Sequence, residues 1–408
     1  MWKKELEERI VKRHLIAAMF AAVFAALALA ACGGGSSSSS STESGSAESG
    51  SSGNEETASS TSGEGLNTSG KKVKVASALV FQAPNQELIA EGGAQAAREF
   101  GAEYSTAAPS EFNSTEAIAD FKSLLASGAE GVAVQPYPPS AWTKAVADAK
   151  AEGVTIASLN SPAFNIKNWL YVGADEVSLG REIAKLISEG VGRDATGEVV
   201  LTQCLSGSTT LSDRNRGIKV GLEEFAPGLT VSSPISTQGI NPTAVFGDWQ
   251  RILETHSDAV AFTGVCTTDL PAMIKAKEKG SAEGILVGVD FSPPTIEAIE
   301  EGVVYGSVGQ NGYQQGYITT RVILEHLVNN KPMPEGWIDS GTTPATKANI
   351  KSVAELMSSV ENQVEYYKPI DEELFENISE HTDPIGQVRS DSLPLPNDIG
   401  KRQYVPGG

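Results

Sequence analysis

The stretch Gly131–Asn160, GVAVQPYPPSAWTKAVADAKAEGVTIASLN, holds two short apolar runs on either side of one helical segment. Gly131–Gln135 and Thr155–Leu159 read as strands, and Ser140–Glu152 reads as the helix between them. A strand, a single helix and a second strand make the repeating unit of a doubly wound parallel sheet.

The same alternation extends in both directions. Upstream, Val73–Leu79 reads as a buried strand, Gln86–Phe100 as a helix ending at Gly101, Ala102–Ala107 as a weaker strand, and Ser114–Ser127 as a helix. Downstream the series begins again. Helices are predicted over Glu176–Glu189, Asp213–Phe225, Thr243–His256, Leu270–Lys279 and Pro294–Glu301. Strands are predicted over Glu198–Gln203, Leu229–Pro234, Val260–Val265, Ile285–Val289 and Val303–Val308. Two consecutive series predict an α/β chain with two similar lobes rather than one large sheet. Tyr313–Asn329 closes the pattern as a long helix ending near Asn330-Lys331-Pro332. Beyond Gly336 the pattern weakens. Ile350–Val360 and Glu372–Ser379 read as helices, and Asp383–Gly408, rich in Pro, Gly and Asp, reads as a wrapped or loose tail.

The 408 residues allow one to three domains with a sizeable core. A formal net charge of −20 argues against nonspecific binding to nucleic acid and against direct attraction to anionic lipid. Membrane association therefore needs an anchor. Lys3, Lys4, Arg9, Lys12 and Arg13 outnumber Glu5, Glu7 and Glu8, and an apolar run follows from Leu15 to Ala31, ahead of Cys32. That order is the pattern of an export signal. A permanent membrane helix is the alternative, since the run is near the minimum that spans a bilayer. Leu29-Ala30-Ala31-Cys32 resembles the lipobox of bacterial lipoproteins, which implies acylation at Cys32 and cleavage before it. Gly33 to about Gly70 is mostly Gly, Ser, Thr and Glu, a composition that reads as a disordered tether.

The folded part resembles the type I periplasmic binding proteins, in particular their ribose/galactose-type sugar binders. The resemblance runs from about Val73 to Ala348. It rests on Gly93-Ala94-Gln95, Gly131-Val132-Ala133-Val134, Gly153-Val154-Thr155-Ile156, Tyr171-Val172-Gly173-Ala174-Asp175, Arg214-Asn215-Arg216-Gly217, Val287-Gly288-Val289-Asp290 and Gly309-Gln310 with Gln315-Gly316-Tyr317, in that order. It implies two Rossmann-like doubly wound lobes joined by a three-strand hinge, closing on a ligand between them. The expected division is a signal at 1–31, a tether at 32–70, an N-terminal lobe at 71–175 plus 310–336, a C-terminal lobe at 176–309 plus part of 337–370, and a tail at 371–408. The implied role is the substrate-binding lipoprotein of an ABC importer, lipid-anchored outside the cytoplasm, with the membrane permease and a small sugar as partners. A monomer with no cofactor and no metal is expected.

Site residues follow from the matched positions. Asn160 ends the fourth strand, where its amide offers a donor and an acceptor; the alternative is turn chemistry in Asn-Ser-Pro. Arg214 matches the arginine of the family's Arg-x-x-Gly pattern at a helix start, against an exposed helix arginine. Asp290 closes Ile285–Val289 and could accept two hydroxyls, or cap the next helix. Gln310 matches the family's hinge glutamine, against a hydrogen bond that merely braces the crossover. The paired aromatics of ribose binders align with Gln86 and Glu87, so stacking is absent or moved. Phe81, Tyr137, Phe164, Trp169 and Phe291 are candidate replacements, with Phe81 and Gln82 the best placed. The family's asparagine after Val260–Gly264 aligns with Val265. These departures point away from ribose itself.

Cys204 and Cys266 end strands that the family order makes neighbours, so either a disulfide or two buried thiols is expected. No histidine stands near either cysteine in a metal-ligand spacing. An enzyme reading finds no nucleophile elbow and no His-Glu-x-x-His. Gly65–Lys71 spells the front of a phosphate loop, but Lys72 follows and the stretch precedes a strand. A repressor with this fold would need a basic helix-turn-helix at the front, where the export signal stands. A lipoprotein that presents ligand to a receptor kinase, and a ligand that is a nucleoside, polyol or small amide, remain the alternatives.

Overall fold

The computed structural model describes residues 66–166, 169–280, 282–388 and 403–406. The residues read as an export signal, Cys32 and most of those read as a tether lie outside the described residues. The first lobe begins with β1 (Lys74–Ala78), α1 (Pro84–Phe100), β2 (Glu103–Ala107), α2 (Ser114–Ala126), β3 (Gly131–Val134), α3 (Pro139–Ala151), β4 (Thr155–Leu159) and β5 (Leu170–Gly173). The second holds α4 (Glu176–Val191), β6 (Gly197–Gln203), α5 (Thr209–Phe225), β7 (Leu229–Val231), β8 (Ile235–Ser236), α6 (Pro242–Thr255), β9 (Ala261–Thr263), α7 (Asp269–Lys277), β10 (Ile285–Val289), α8 (Pro293–Glu301) and β11 (Gly306–Gly309). The chain then gives α9 (Gly312–Asn329), β12 (Gly336–Asp339), β13 (Thr343–Thr346), α10 (Ile350–Leu356) and α11 (Val360–Glu376).

The strands form two sheets. One runs β12-β5-β4-β3-β1-β2 with every pair parallel. The other runs β13-β11-β10-β9-β6-β7, parallel except for β13 at its edge. Buried runs such as Val132, Ala133 and Val134 have no polar alternation because helices cover both faces.

The chain passes between the lobes at Ala174–Asp175, Gln310–Asn311 and Ser340–Thr342. The passes are laced together. The Asp175 amide donates to Asp339 at 3.3 Å, Asn311 Nδ2 donates to the Ser340 carbonyl at 3.4 Å, and Thr343 Oγ1 donates to Asn311 Oδ1 at 2.7 Å. A fourth pass, Met357–Ser359, was not foreseen from sequence. α10 packs its Ile350 and Val353 into the second lobe's core, whereas α11 lays Tyr367 and Leu374 on the first. There Tyr367 stacks on Tyr313 at 5.9 Å and meets the edge of Tyr404 at 5.4 Å. The sequence placed a helix at Glu372–Ser379, after Pro369; the structure runs α11 through Pro369 instead. Burial of this aromatic face outweighs the lost backbone bond. Similarly, Leu66–Gly70 is docked rather than loose: Asn329 Nδ2 donates to the Leu66 carbonyl at 2.9 Å and Asn329 Oδ1 accepts from the Thr68 amide at 3.1 Å.

In each lobe two helices cross at backbone contact through glycines. A Cβ on Gly316 would sit 1.9 Å from the Ile89 carbonyl oxygen, and one on Gly217 would sit 2.1 Å from that of Val177. Helix propensity alone would favour alanine at such positions by about 1 kcal/mol. Forcing the helices apart costs about 1–3 kcal/mol or more, so the clash wins. Gly316→Ala is therefore expected to lower stability in urea unfolding by about 1–2 kcal/mol net. An unchanged or raised midpoint would mean that α1 and α9 are not in backbone contact.

Candidate functional site

Two residues sit in left-handed backbone at corresponding strand ends: Asn160 after β4, with φ of 58°, and Asp290 after β10, with φ of 64°. Asn and Asp are the side-chain-bearing residues that best tolerate this region, and the turn aims each side chain across the strand tips. Gln310, in the second pass between lobes, joins them. Asn160 Nδ2 donates to Gln310 Oε1 at 2.9 Å, and Gln310 Nε2 donates to Asp290 Oδ2 at 2.7 Å.

The chain of bonds continues at both ends. Gln135 Nε2 donates to Asn160 Oδ1 at 2.7 Å, while Gln135 Oε1 accepts from the Val80 amide at 3.3 Å. On the other side Thr267 Oγ1 donates to Asp290 Oδ2 at 2.6 Å. One continuous polar path thus runs from the first strand of one lobe to the strand tips of the other. The helix-cap role open to Asp290 goes to Ser292, whose Oγ accepts from the Thr295 amide at 3.4 Å.

Arg214 is buried at the cleft. The helix carrying it starts earlier than the sequence suggested, at Thr209, because Ser208 caps it by accepting from the Leu211 amide. Arg214 therefore lies within α5 and not at its start. Its guanidinium is heavily engaged: Nε and Nη2 donate to Glu176 Oε2 at 2.8 and 2.5 Å, and Nη1 donates to the Val265 carbonyl at 2.5 Å. Burial pushes the Glu176 carboxyl up, and Arg214 draws it partly back. Losing either partner would strand a buried charge, worth about 3–5 kcal/mol.

The cleft measures about 620 Å³ including its open mouth. Val80, Phe81, Gln86, Gln135, Tyr137 and Asn160 line one side; Leu205, Ser208, Leu211, Arg214, Val265, Thr267 and Thr268 line the other. Cys204 and Cys266, bonded as a disulfide with Cα atoms 6.3 Å apart, also line it. The bridge ties together the loops that follow β6 and β9. By chain entropy alone, closing a loop across 62 residues contributes about 4 kcal/mol.

The structure sorts the sequence candidates. Phe81, Asn160, Arg214 and Gln310 meet at this cleft. Asp290 reaches it through Gln310 and Thr267, and the residue also borders a second cavity. Gln82 does not line the cleft: it is exposed and its amide is turned to the Ala108 carbonyl, to which it donates at 3.0 Å. Among the candidate aromatics, Tyr137 lines the cleft, Trp169 is in the first lobe's core, and Phe291 borders the second cavity. Gln135, Thr267 and Glu176 were missed. Gln135 obeys the strand-tip rule and was findable; nothing local in sequence pairs 176 with 214. Among the described residues no cluster of three His, Cys, Asp or Glu side chains could hold a metal ion, and no helix is long and apolar enough to cross a membrane.

Residues 80–331 match the family model of the periplasmic binding protein domain. The chain is similar to the xylose/arabinose-binding protein of Sulfolobus acidocaldarius, 25% identical over 285 residues, covering 63% of this chain and 66% of that one. It is also similar to the ribose import binding protein of Haemophilus influenzae, 19% identical over 196 residues, covering 47% of this chain and 64% of that one. It thus spans just under two thirds of the length of either relative. Among solved structures, a solute-binding protein of Burkholderia graminis in complex with D-arabinose superposes with a TM-score of 0.63 at 21% identity, covering 69% of this chain and 97% of that one. A periplasmic ribose ABC transporter protein of Conexibacter woesei gives 0.61 at 22% identity, covering 72% and 97%.

Several buried carboxyls hold their protons more tightly than usual. Burial lifts Asp269 from 3.8 to about 6, against hydrogen bonds from Trp249 and the Cys266 amide. It lifts Asp371 on α11 from 3.8 to about 7, against the pull of Gln314 and Arg321. The folded chain then binds protons that the unfolded chain has released. The stability these groups contribute is full below about pH 4 and is lost as pH rises through 6 to 7. Thermal melting is expected to give a higher midpoint at pH 5 than at pH 8, with a smaller difference in Asp371→Asn. A midpoint that climbs between these pH values would refute the assignment.

Proposed function

This chain belongs to the periplasmic binding protein family, and from that premise we propose that it is the sugar-capturing lipoprotein of an ABC importer. The observation that carries the reading is the Gln310 bridge. A single amide gives its acceptor to one lobe and its donor to the other, beside a cleft lined by both. Hydroxyl groups of a sugar are donor and acceptor at once, so they can join a chain of amide, carboxylate and hydroxyl partners without leaving any of them unpaired.

Charge narrows the ligand further. Arg214 is matched by Glu176, and Asp290 is already held by Gln310 and Thr267. An anionic ligand would find no free cation at these positions and would approach Asp290. The expected guest is a small neutral sugar. Phe81 and Tyr137 offer it apolar surface in place of the missing aromatic pair. Ligand contacts to both lobes stabilise closure because they exist only in the closed state. Acylation at Cys32, in the lipobox-like Leu29-Ala30-Ala31-Cys32, would hold the protein at the membrane beside its permease.

Melting of the protein with D-arabinose, D-xylose and D-ribose, and with D-glucuronate as a charged contrast, tests the reading. A neutral sugar at about a hundred times its dissociation constant should stabilise by about 2.7 kcal/mol. Asp290→Ala and Arg214→Ala should each weaken binding by on the order of 2–5 kcal/mol, about thirty-fold or more. No response to any of the neutral sugars, or wild-type affinity in both variants, would overturn it.

A further inference from the structure

We propose that Tyr137 is a latch that holds the two lobes together across the mouth of the cleft. The proposal deepens the reading of the cleft as a closing ligand site and rests on it. Tyr137 follows β3 of the first lobe, and its hydroxyl donates to the Ser206 carbonyl of the second lobe at 3.2 Å. This contact lies away from the hinge, at the loop between β6 and α5.

Both halves of the contact are held from behind. Phe112 packs on the Tyr137 ring with centroids 5.5 Å apart, and the Tyr137 carbonyl accepts from Trp142 Nε1 at 3.4 Å. The ring is half-buried and lines the cleft, so the hydroxyl is the part left to reach across. On the receiving side, Cys204 pins the start of the loop to Cys266, and Gln203 Nε2 donates to the Leu205 carbonyl at 3.2 Å. Gly207 turns the chain with φ of 77°, and Ser208 begins α5 as its cap. The Ser206 carbonyl is therefore presented by a loop fixed at both ends.

The acceptor is a backbone oxygen, so the latch depends on where that loop sits and not on the side chain at 206. A latch of this kind acts on the closed state alone. It slows the escape of bound ligand, and slows entry only in proportion to the ligand-free chains it holds shut. A partly exposed neutral hydrogen bond changes such an equilibrium by about two- to ten-fold.

Tyr137→Phe keeps the ring and removes only the donor. Interlobe distances in the ligand-free full chain can be read by double electron–electron resonance between ketone-linked spin labels at exposed Glu116 and Glu254, which spares the native cysteines. The variant is expected to shift the distribution toward longer distances. With D-arabinose as probe, its dissociation rate should rise about two- to ten-fold, with the association rate unchanged within about two-fold. Identical ligand-free distributions in wild type and variant would overturn the latch. Failure of both proteins to bind any of the neutral sugars would overturn the sugar reading instead, and the distance comparison would still decide the latch.

Discussion

The Gln310 side chain is the point on which the two lobes are balanced. Its oxygen accepts from Asn160 in one lobe and its nitrogen donates to Asp290 in the other, at 2.9 and 2.7 Å. An amide cannot exchange these roles without turning over, and Gln315 Nε2 anchors the residue by donating to the Gln310 backbone carbonyl at 2.7 Å. Rotation of one lobe against the other must therefore stretch a bond in a buried, low-dielectric setting, where an unmet polar group is costly. The cleft and the hinge are one structure because they share this residue. A ligand that adds hydroxyls to the same chain of partners changes the balance at the axis as well as at the walls.

The buried Glu176–Arg214 pair answers a different need. Buried ion pairs are weak contributors to net stability, since desolvation offsets most of the attraction. What the pair does here is shape the cleft's chemistry. A lone guanidinium in a closing cleft would select carboxylates and phosphates. With Glu176 on two of its nitrogens, Arg214 becomes a rigid polar wall that also fixes the Val265 carbonyl. The pair depends on the glycine crossing of α4 and α5, where a Cβ on Gly180 would meet the Arg214 carbonyl oxygen at 2.1 Å. Helix packing at this glycine thus sets the electrostatics of the site.

The sequence made the alternation of strands and helices plain because parallel strands buried on both faces give unbroken apolar runs. The strand tips were legible for the same reason: a run that ends in Asn160 or Asp290 marks its own carboxyl end. The elements that escaped were those whose stability comes from distant partners. β12 offers only Trp337 and Ile338 after two prolines, yet it pairs along β5. β13 contains Pro344, which argues against a central strand and is compatible with the sheet edge where it lies. The pairing of Glu176 with Arg214 escaped because burial in a shared interface leaves no local spacing to read.

The fourth pass changes what kind of motion the hinge allows. Three passes laced through Asn311, Asp339 and Ser340 would by themselves permit some sliding as well as rotation. α10 seats Ile350 and Val353 in the second lobe's core and ends with Leu356 in the first, where α11 lies, with only Met357–Ser359 between the two helices. A link that short spans little distance, so sliding would drag Tyr367 out of its place between Tyr313 and Tyr404. Rotation about an axis near the passes moves those attachment points least. The aromatic stack on α9 therefore acts as a stop against shear, leaving opening and closing as the motion of lowest energy.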